Sequence, residues 1–498
     1  MFTSFAIKSA PKGRTKDVEG VRFEHLQGIV KFANKEALSA LTLIIETMAR
    51  HPRAAFKTIA KARMVGIPKK ETQIRPIGIT SVFRRVWGKV VLTDVGSIVS
   101  KHLLNSNPQA AQLAVGVRGG TQTAGIIIHA LRDANAGHAT LQLDVKNAFN
   151  ELDRNAMLRA ARRFGPSLYG FAAALYGNGK QDLAYFLEGA DVETIECDTG
   201  VTQGCGLGTL LFALAFHECI IAELEVDQAK ELPDREFKDI MICAYADDAA
   251  ITGPSTQILA FAERLAQRLD KEAALTVKEH IFHPPQNVER QTKLYGEDGH
   301  LAGRLPGFRI ATEGIVFAGN PIGSIEFVNV EVGKIVAKHA KRLAAIKDFA
   351  NTSSIDASAS PFKGFYKHLA LALIQYTCDR RLDYALHVTP TSWIDTKHLA
   401  SAQRDIRDSI AHVCGGEVVY DKLDDVGKTL FKAPFRLGGQ SFHDLVDEAD
   451  LCFVGNVASH APLAAKGILV YSYVSIISNC LHYECSRSHG GHRREGTR

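Results

Sequence analysis

The sequence lacks the long apolar runs and paired cysteines that mark membrane and secreted proteins. Its N-terminus has no apolar stretch of signal-peptide length, and the longest apolar run near the C-terminus, residues 468–477, is too short to span a bilayer. The nine cysteines are scattered singly, which predicts reduced thiols inside the cell. We therefore expect an intracellular protein with no membrane partner, and no targeting signal can be read.

The sequence also has little net charge for its length. Its 498 residues carry a formal charge of +5, so a polyanionic partner is allowed but not demanded. Basic residues gather in segments 8–16, 50–85 and 334–347, which could line a groove for a phosphate backbone or be solvated helix faces. A chain of this length exceeds one compact core, which predicts two or three lobes.

The hydrophobic pattern mixes helices and strands without regular alternation. Residues 38–48 have apolar positions at helical spacing, residues 140–145 alternate like a strand, and residues 209–224 are apolar almost all round, as in a buried helix. Pro76 restricts its extended segment to an edge or a loop. This mixture favours an α+β fold over a doubly wound parallel sheet.

Two adjacent acids, Asp247 and Asp248, stand between two apolar runs. The pattern of residues 240–251 predicts a hairpin with both carboxylates at its tip. Fixed carboxylates can hold hard divalent cations, and paired Mg²⁺ ions are the usual catalysts of nucleotidyl transfer. Because acids are also ordinary in turns, a metal site requires a third carboxylate from elsewhere in the chain.

Asp144 is the candidate third carboxylate. It lies near the end of an apolar strand, where an unpaired charge would be costly without a partner or a metal. Phe149 follows five residues later, where its ring could pack against the sugar of a nucleotide and exclude a ribose 2′-hydroxyl. The alternative is a helix-capping aspartate followed by a core phenylalanine.

Two more segments offer nucleotide contacts. The loop of residues 199–208 contains four glycines together with Gln203 and leads into the apolar helix, so its amides could face a phosphate or a base pair. Upstream, Arg75 stands on a predicted hairpin, where its guanidinium could grip triphosphate oxygens. A simple turn and a surface arginine are the ordinary alternatives.

Taken in order, these segments resemble the reverse transcriptase domain of non-LTR retrotransposons, of the site-specific lineage with a restriction-like endonuclease. The matching segments are Arg75–Ile77, Gly119-Gly120, residues 143–150, Val201–Gly204 with residues 210–212, and Tyr245–Asp248. Segments similar to the family's N-terminal extension, its primer grip and a motif beyond the thumb are residues 21–26, 319–324 and 437–439.

The resemblance implies a right-hand polymerase fold of the α+β class, with an antiparallel-sheet palm, mixed fingers and a helical thumb. We expect fingers with the N-terminal extension in residues 1–110, the palm in 111–330, the thumb in 331–445 and a C-terminal remnant in 446–498. The implied partners are an RNA template, a DNA primer or target and deoxynucleoside triphosphates. The expected location is the nucleus.

The implied activity is RNA-directed DNA polymerisation with two Mg²⁺ ions, or with Mn²⁺ in their place. Asp144 and Asp247 would bridge the metals, and Asp248 would assist them or order the turn. The remaining implied roles are triphosphate binding by Arg75 and Lys69, contact with the incoming nucleotide by Gln203 and Gly204, sugar selection by Phe149, primer contact by Tyr245 and Gly323, and proton donation to pyrophosphate by Lys278.

The sequence departs from the family in two places. The family loop continues after Gln-Gly with Asp-Pro-Leu-Gly-Pro, where this chain has Cys205-Gly-Leu-Gly-Thr209, which predicts a more mobile loop. The spacing around the family's proton-donating lysine is not kept, which leaves both Lys278 and His280 as candidates.

The expected flanking modules are not visible. Site-specific members carry zinc fingers before the polymerase and a nuclease after it, and Cys480–Cys485 with His489 lacks zinc-finger spacing, so zinc is not expected. We therefore expect a truncated copy. The alternatives to an active reverse transcriptase are a decayed copy that binds RNA or primer–template without efficient synthesis, and an RNA polymerase of the same fold, against which Phe149 argues.

Overall fold

The computed structural model describes residues 2–285 and 305–459, without residues 33–34, 52–53, 55, 57–58, 71–72, 178–180, 186–192, 231–235, 353–364, 380–381, 415–423, 433–441, 443–444, 446–448, 450 and 457. The chain divides into two compact units. The first comprises Met1–Ala124 with Leu131–Ile310, and the second Gly125–Ala130 with Ala311–Arg498. The boundaries expected at residues 110, 330 and 445 stay predictions. Within the described ranges, no helix is long and apolar enough to cross a membrane.

The first unit holds ten helices and ten strands among its described residues. The helices are α1 (Phe2–Lys8), α2 (Phe23–Phe32), α3 (Lys35–Arg50), α4 (Val82–Asn105), α5 (Gly120–Ala134, which also enters the second unit), α6 (Ala148–Glu151), α7 (Arg154–Arg162), α8 (Pro166–Tyr176), α9 (Gly208–Gln228) and α10 (Ser255–Ala273). The strands are β1 (Ala62–Lys70), β2 (Gln73–Thr80), β3 (Ala110–Gln112), β4 (His138–Val145), β5 (Gln181–Tyr185), β6 (Glu193–Cys197), β7 (Met241–Tyr245), β8 (Asp248–Pro254), β9 (Val277–His283) and β10 (Phe308–Ile310).

A six-stranded sheet forms the centre of this unit. Its strand order is β10-β9-β4-β8-β7-β3. The four central strands are antiparallel, as the palm resemblance implies, and β10 and β3 are added in parallel at the two edges. Leu141 and Leu143 of β4 are fully buried, so one strand in the middle of the sheet carries both the core and Asp144 at its end.

Helix α9 confirms the prediction of a buried helix. It contacts α7 and α10, and the rings of Phe212 and Phe216 are fully enclosed. A helix that is apolar on every side must be surrounded by other elements, because an exposed side would leave apolar area in water. Its first turn follows directly on the glycine-rich loop, which therefore starts from a rigid support.

Local signals also place the ends of elements correctly. Asp153 caps α7, since its Oδ1 accepts a 2.7 Å hydrogen bond from the backbone N–H of Ala156. Gly165, with φ 92°, separates this helix from α8, whose first residue is Pro166. A second sheet has the order β2-β1-β5-β6, so Pro76 lies on an edge strand, where a missing N–H is tolerated.

The second unit is mainly helical among its described residues. It contains the hairpin β11 (Gly314–Phe317) and β12 (Asn320–Gly323), followed by α11 (Ile325–Thr352), α12 (Phe365–Leu373), a π-helical turn (Ile374–Asp379), α13 (Asp383–Val388), a 3₁₀ turn (Thr391–Trp393), α14 (Thr396–Cys414) and α15 (Asp425–Lys432). It has a hydrophobic core of its own around Val332, Ile374 and Ile406. Residues 437–439, Cys480–Cys485 and His489 lie outside the described residues.

Candidate active site

Strand register brings the three acids to one end of the central sheet. β4 pairs Leu143 with Ala249 of β8, and one more step in the same register sets Asp144 opposite Asp248. β7 pairs Tyr245 with Asp248, so Asp247 lies in the two-residue turn of the predicted hairpin. The carboxylate from β4 and the pair at the hairpin tip therefore share one site.

The three carboxylates influence one another electrostatically. The pKa of Asp248 is raised to about 6, first by burial and then by the negative charges of Asp247 and Asp144, while Lys278 opposes the rise. Among the described residues, no three His, Cys, Asp or Glu side chains are arranged to ligate a single ion on their own. The site combines closely spaced negative charges with carboxylate oxygens that can act as metal ligands.

A β-bulge in β9 places Lys278 beside Asp144. β4 pairs Asp144 with Glu279 and Val145 with Val277, so Lys278 is the extra residue, and its Nζ lies 2.8 Å from Asp144 Oδ2. Bulges next to active sites commonly re-aim a side chain in this way. His280, the other candidate donor, is fully buried and its pKa is lowered by burial, although its Nδ1 contacts Pro306 O at 2.7 Å. Of the two, Lys278 is the residue beside the acids.

The hairpin turn adopts a strained backbone. Ala246 has φ 57°, a region that costs a residue with a Cβ roughly 1–2 kcal/mol. The fully buried side chain of Gln112 contacts both polar groups of this residue, since its Nε2 donates to Ala246 O at 3.0 Å and its Oε1 accepts from Ala246 N at 2.9 Å. Sequence reasoning missed Gln112, because a single glutamine in a three-residue strand carries no signature.

The Gly119-Gly120 pair permits a close approach near the same hairpin. Gly119 has φ 67°, and a Cβ on Gly120 would lie 2.1 Å from Leu113 O and 3.2 Å from the ring of Tyr245. Only glycine fits there while Tyr245 keeps its place. The half-buried Tyr245 is therefore held beside the acids, and its predicted contact with the primer stays a prediction.

The glycine-rich loop is joined to two other predicted nucleotide-binding segments. Gln203 O accepts a 2.6 Å hydrogen bond from Gly78 N of β2, and Val201 N donates to Phe149 O at 2.7 Å. A Cβ on Gly204, which has φ 107°, would lie 2.2 Å from Gly78 O, so glycine is required. The loop, the Phe149 segment and the strand of Arg75 thus form one continuous structure.

The side chains on this structure differ in exposure. Arg75 is exposed on the edge strand three residues before Gly78, whereas the Lys69 side chain lies outside the part that is described. Phe149 is half-buried and stacks on Phe212, with ring centroids 4.6 Å apart. Phe149 therefore serves partly as a core residue, which was the alternative interpretation of this position. Gln203 Oε1 is buried and meets no hydrogen-bond partner within the described residues.

A buried arginine contacts the glycine-rich loop at Cys205. Arg84 is fully enclosed, and its described contacts are the hydroxyl of Tyr176 at 2.8 Å, Ala60 O at 3.4 Å and the thiol of Cys205, none of them a carboxylate. Burial would raise the pKa of the Cys205 thiol, but Arg84, the Tyr176 hydroxyl and the backbone N–H of Leu207 lower it overall. The Cys205 sulfur therefore lies beside the buried guanidinium as one of its polar partners.

Arg154 supports the preceding part of the same loop. Its guanidinium donates hydrogen bonds to the backbone oxygens of Cys197, Thr199 and Gly200, each at 3.1 Å. A guanidinium has five donors in a rigid plane, which suits it to hold several carbonyls of one loop together. Neither arginine was identified from the sequence, because their partners are distant in the chain.

Gly323 belongs to the hairpin of the second unit. It ends β12, and a Cβ there would lie 2.2 Å from Glu313 O, so the strands approach too closely for any other residue. The backbone N–H of Ser324 donates to the same oxygen at 2.9 Å. Its predicted role in gripping the primer stays a prediction.

Comparison with known proteins defines the class of this site. Residues 67–280 match the family model of reverse transcriptase (RNA-dependent DNA polymerase), and this segment contains all three acids. Residues 67–280 are therefore a reverse transcriptase domain. The retrotransposable element SLACS 132 kDa protein of Trypanosoma brucei gambiense is 26% identical over 194 residues, which cover 38% of this chain and 15% of that protein. Together the two matches confirm the retrotransposon resemblance, while the endonuclease lineage stays a prediction.

Solved structures of telomerases are also similar. An apo telomerase from Candida tropicalis, truncated from the C-terminal domain, has 12% identity and a TM-score of 0.37, over 57% of this chain and 58% of its own. A telomerase from Candida albicans with a fragment of telomeric RNA has 10% identity and a TM-score of 0.38, over 79% of this chain and 64% of its own.

The raised pKa of Asp248 makes metal-free stability depend on pH. Ionising this carboxyl costs the folded state more than the unfolded chain, so stability falls as pH rises from about 4, the ordinary value, to about 6. We expect Asp248→Asn, in the presence of chelator, to raise the unfolding temperature by about 2 °C or more near neutral pH, and by less near pH 4. Calorimetry measures this. An unchanged or lower unfolding temperature near neutral pH contradicts the account, and the exposed Asp94→Asn is the control.

The Arg84–Cys205 contact predicts that a polar side chain matters at position 205. Cys205→Ala leaves the buried guanidinium without this partner, which costs about 1–3 kcal/mol beyond the loss of packing, whereas Cys205→Ser retains a polar atom there. Cys219 is a matched control, because it is also buried and burial raises the pKa of its thiol to about 12. Thermal unfolding of the three variants provides the measurement. Equal losses for Cys205→Ala and Cys219→Ala would show that only packing is involved.

Proposed function

We propose that this chain is the RNA-directed DNA polymerase of a non-LTR retrotransposon, which extends a DNA 3′ end on an RNA template. The observation that carries the proposal is the meeting of Asp144, Asp247 and Asp248 at one end of the central sheet, inside the segment that matches the reverse transcriptase family. The proposed partners are an RNA template, a DNA primer or target and deoxynucleoside triphosphates. The proposed location is the nucleus, and the proposed lineage is the site-specific one.

The three carboxylates are suited to hold divalent cations. Mg²⁺ is commonly bound by one or two carboxylates, with substrate phosphate and water oxygens completing its coordination, so three ligands to one ion are not required. Such cations would relieve the repulsion among the carboxylates, which adds to the effect of burial in raising the pKa of Asp248. We propose two Mg²⁺ ions, which Mn²⁺ could replace. When bound, they would stabilise negative charge on the attacking and leaving oxygens.

Other residues of the chain would orient the substrates. Arg75 and Lys69 would bind the triphosphate, and Gln203 and Gly204 would lie against the incoming nucleotide. These roles are supported by the hydrogen bond between Gly78 and Gln203, which ties the loop to the strand of Arg75. Most of the rate enhancement would then come from positioning and electrostatic stabilisation.

Further roles follow from position beside the acids. Lys278 would hold a proton near Asp144 for transfer to the leaving pyrophosphate, because its ammonium already lies at that carboxylate. Phe149, braced by Phe212, would exclude a ribose 2′-hydroxyl, and Tyr245 would contact the primer. The resemblance assigns a primer contact to Gly323 of the second unit as well. The altered loop at Cys205 is the observation that favours the alternative, a decayed copy that binds nucleic acid without efficient synthesis.

Charge removal at the acids tests the proposed function. We expect Asp144→Asn and Asp247→Asn each to reduce primer extension on an RNA template by at least about 10²-fold, because the variants lose stabilisation of developing charge. Template binding should persist with its salt dependence, since phosphate contacts supply that affinity. Extension assays and fluorescence anisotropy measure the two properties.

The controls distinguish the two candidate functions. Asp94→Asn, on the exposed side of α4, should extend primers like wild type. Full activity in either acid variant refutes the assignment of these carboxylates. A wild-type protein that binds primer–template but makes no product with Mg²⁺ or Mn²⁺ supports the decayed copy instead.

A further inference from the structure

The hairpin turn that carries Asp247 depends on a contact from outside the hairpin. Ala246 has φ 57°, a left-handed conformation that residues with a Cβ rarely adopt unless the surroundings impose it. It is the residue directly before Asp247, so its backbone angles determine the direction in which that carboxylate leaves the turn. Nothing in the chemistry of alanine favours this conformation.

Gln112 provides the contact. β3 runs parallel to β7, with Gln112 paired to Ala244 and with Leu113 N donating to Ala244 O at 2.7 Å. The Gln112 side chain then continues this pairing beyond the strand, because its amide donates to Ala246 O at 3.0 Å and accepts from Ala246 N at 2.9 Å. Its Oε1 also accepts from Ala114 N at 3.2 Å, which holds the amide in one orientation.

The chemistry of this contact requires a carboxamide. A peptide group presents one donor and one acceptor, and only an amide side chain offers the complementary pair in one plane. Glutamate of the same shape would set a carboxylate oxygen against Ala246 O, and methionine of similar length would leave both groups of Ala246 without a partner. Because Gln112 is fully buried, water does not compete for these hydrogen bonds.

We propose that Gln112 is a positioning residue of the polymerase, which holds the Ala246 peptide and thereby aims the carboxylate of Asp247. The effect of Gln112 on catalysis rests on the proposed function, whereas its effect on the turn does not. Gln112 acts through the turn and has no role as a ligand. Small displacements of a reacting group are costly in rate, so the effect belongs in the catalytic step and in the use of metal rather than in nucleic-acid binding.

A matched pair of glutamine variants separates this role from general stability. Gln109 lies three residues earlier, and its Nε2 donates to Phe237 O at 2.6 Å and Ile240 O at 3.1 Å, away from the turn. We expect Gln112→Met to lower kcat by about 10–10²-fold and to raise the Mg²⁺ concentration for half-maximal rate. Its nucleotide KM and template affinity should match those of Gln109→Met, which keeps kcat near wild type. Equal kcat losses in the two variants would overturn the proposal.

A second substitution tests the mechanism directly. Glycine adopts positive φ without a Cβ clash, so Ala246→Gly makes the turn conformation accessible without the hydrogen bonds from Gln112. In the Gln112→Met background it should recover a substantial part of kcat, while in wild type it should change kcat little. A residue that merely filled the core would not be rescued in this way. Absence of recovery contradicts the proposal.

Hydrogen exchange keeps the proposal testable if wild type extends no primer. In that case the proposed function fails, but we still expect faster amide exchange at Ala246 in Gln112→Met than in Gln109→Met, since the N–H loses its acceptor. Equal exchange in both variants would refute the role of Gln112 in holding the Ala246 peptide. If circular dichroism shows that Gln112→Met does not fold, Gln112→Leu, a shorter side chain that also lacks both hydrogen-bonding groups, is measured against Gln109→Leu with the same expectations.

Discussion

Repulsion among three carboxylates is the constraint on which the rest of this site depends. Strands β4, β7 and β8 end together, so Asp144, Asp247 and Asp248 cannot move apart without breaking the register of the central sheet. Burial raises the pKa of Asp248, and the negative charges of Asp247 and Asp144 raise it further. Lys278, placed by a bulge in β9, partly neutralises the cluster through Asp144. A fold that holds like charges together in this way stores free energy that a bound cation can release.

Several contacts hold the glycine-rich loop in place. The glycine-rich loop is tied to β2 through Gly78 and to the Phe149 segment through Val201, while Arg84 and Arg154 hold it by side-chain contacts. The loop lacks the family's usual acid and prolines, but the Cys205 thiol contacts the buried guanidinium of Arg84. The changed sequence is therefore compatible with an ordered loop, and the chemistry of one buried contact accounts for it.

Patterns that report local geometry were readable from the sequence. The hairpin at residues 240–251, the buried helix α9, the Asp153 cap and Pro76 on an edge strand all follow from periodicity or from the properties of single residues. Gln112, Arg84 and the bulge at Lys278 could not be read, because each depends on register or on a partner far away in the chain. The parallel edge strands β3 and β10 belong to the same category, since three residues carry too little pattern.

We propose that the three acids form a divalent-cation site, and Mn²⁺ binding tests this most directly. Electron paramagnetic resonance counts free Mn²⁺ as it is titrated into the protein with primer–template and an incoming nucleotide. We expect wild type to bind Mn²⁺ tightly, beyond the binding by nucleotide alone, and this binding to be lost when Asp144 and Asp247 are both replaced by asparagine. Unchanged Mn²⁺ binding in that double variant would contradict it.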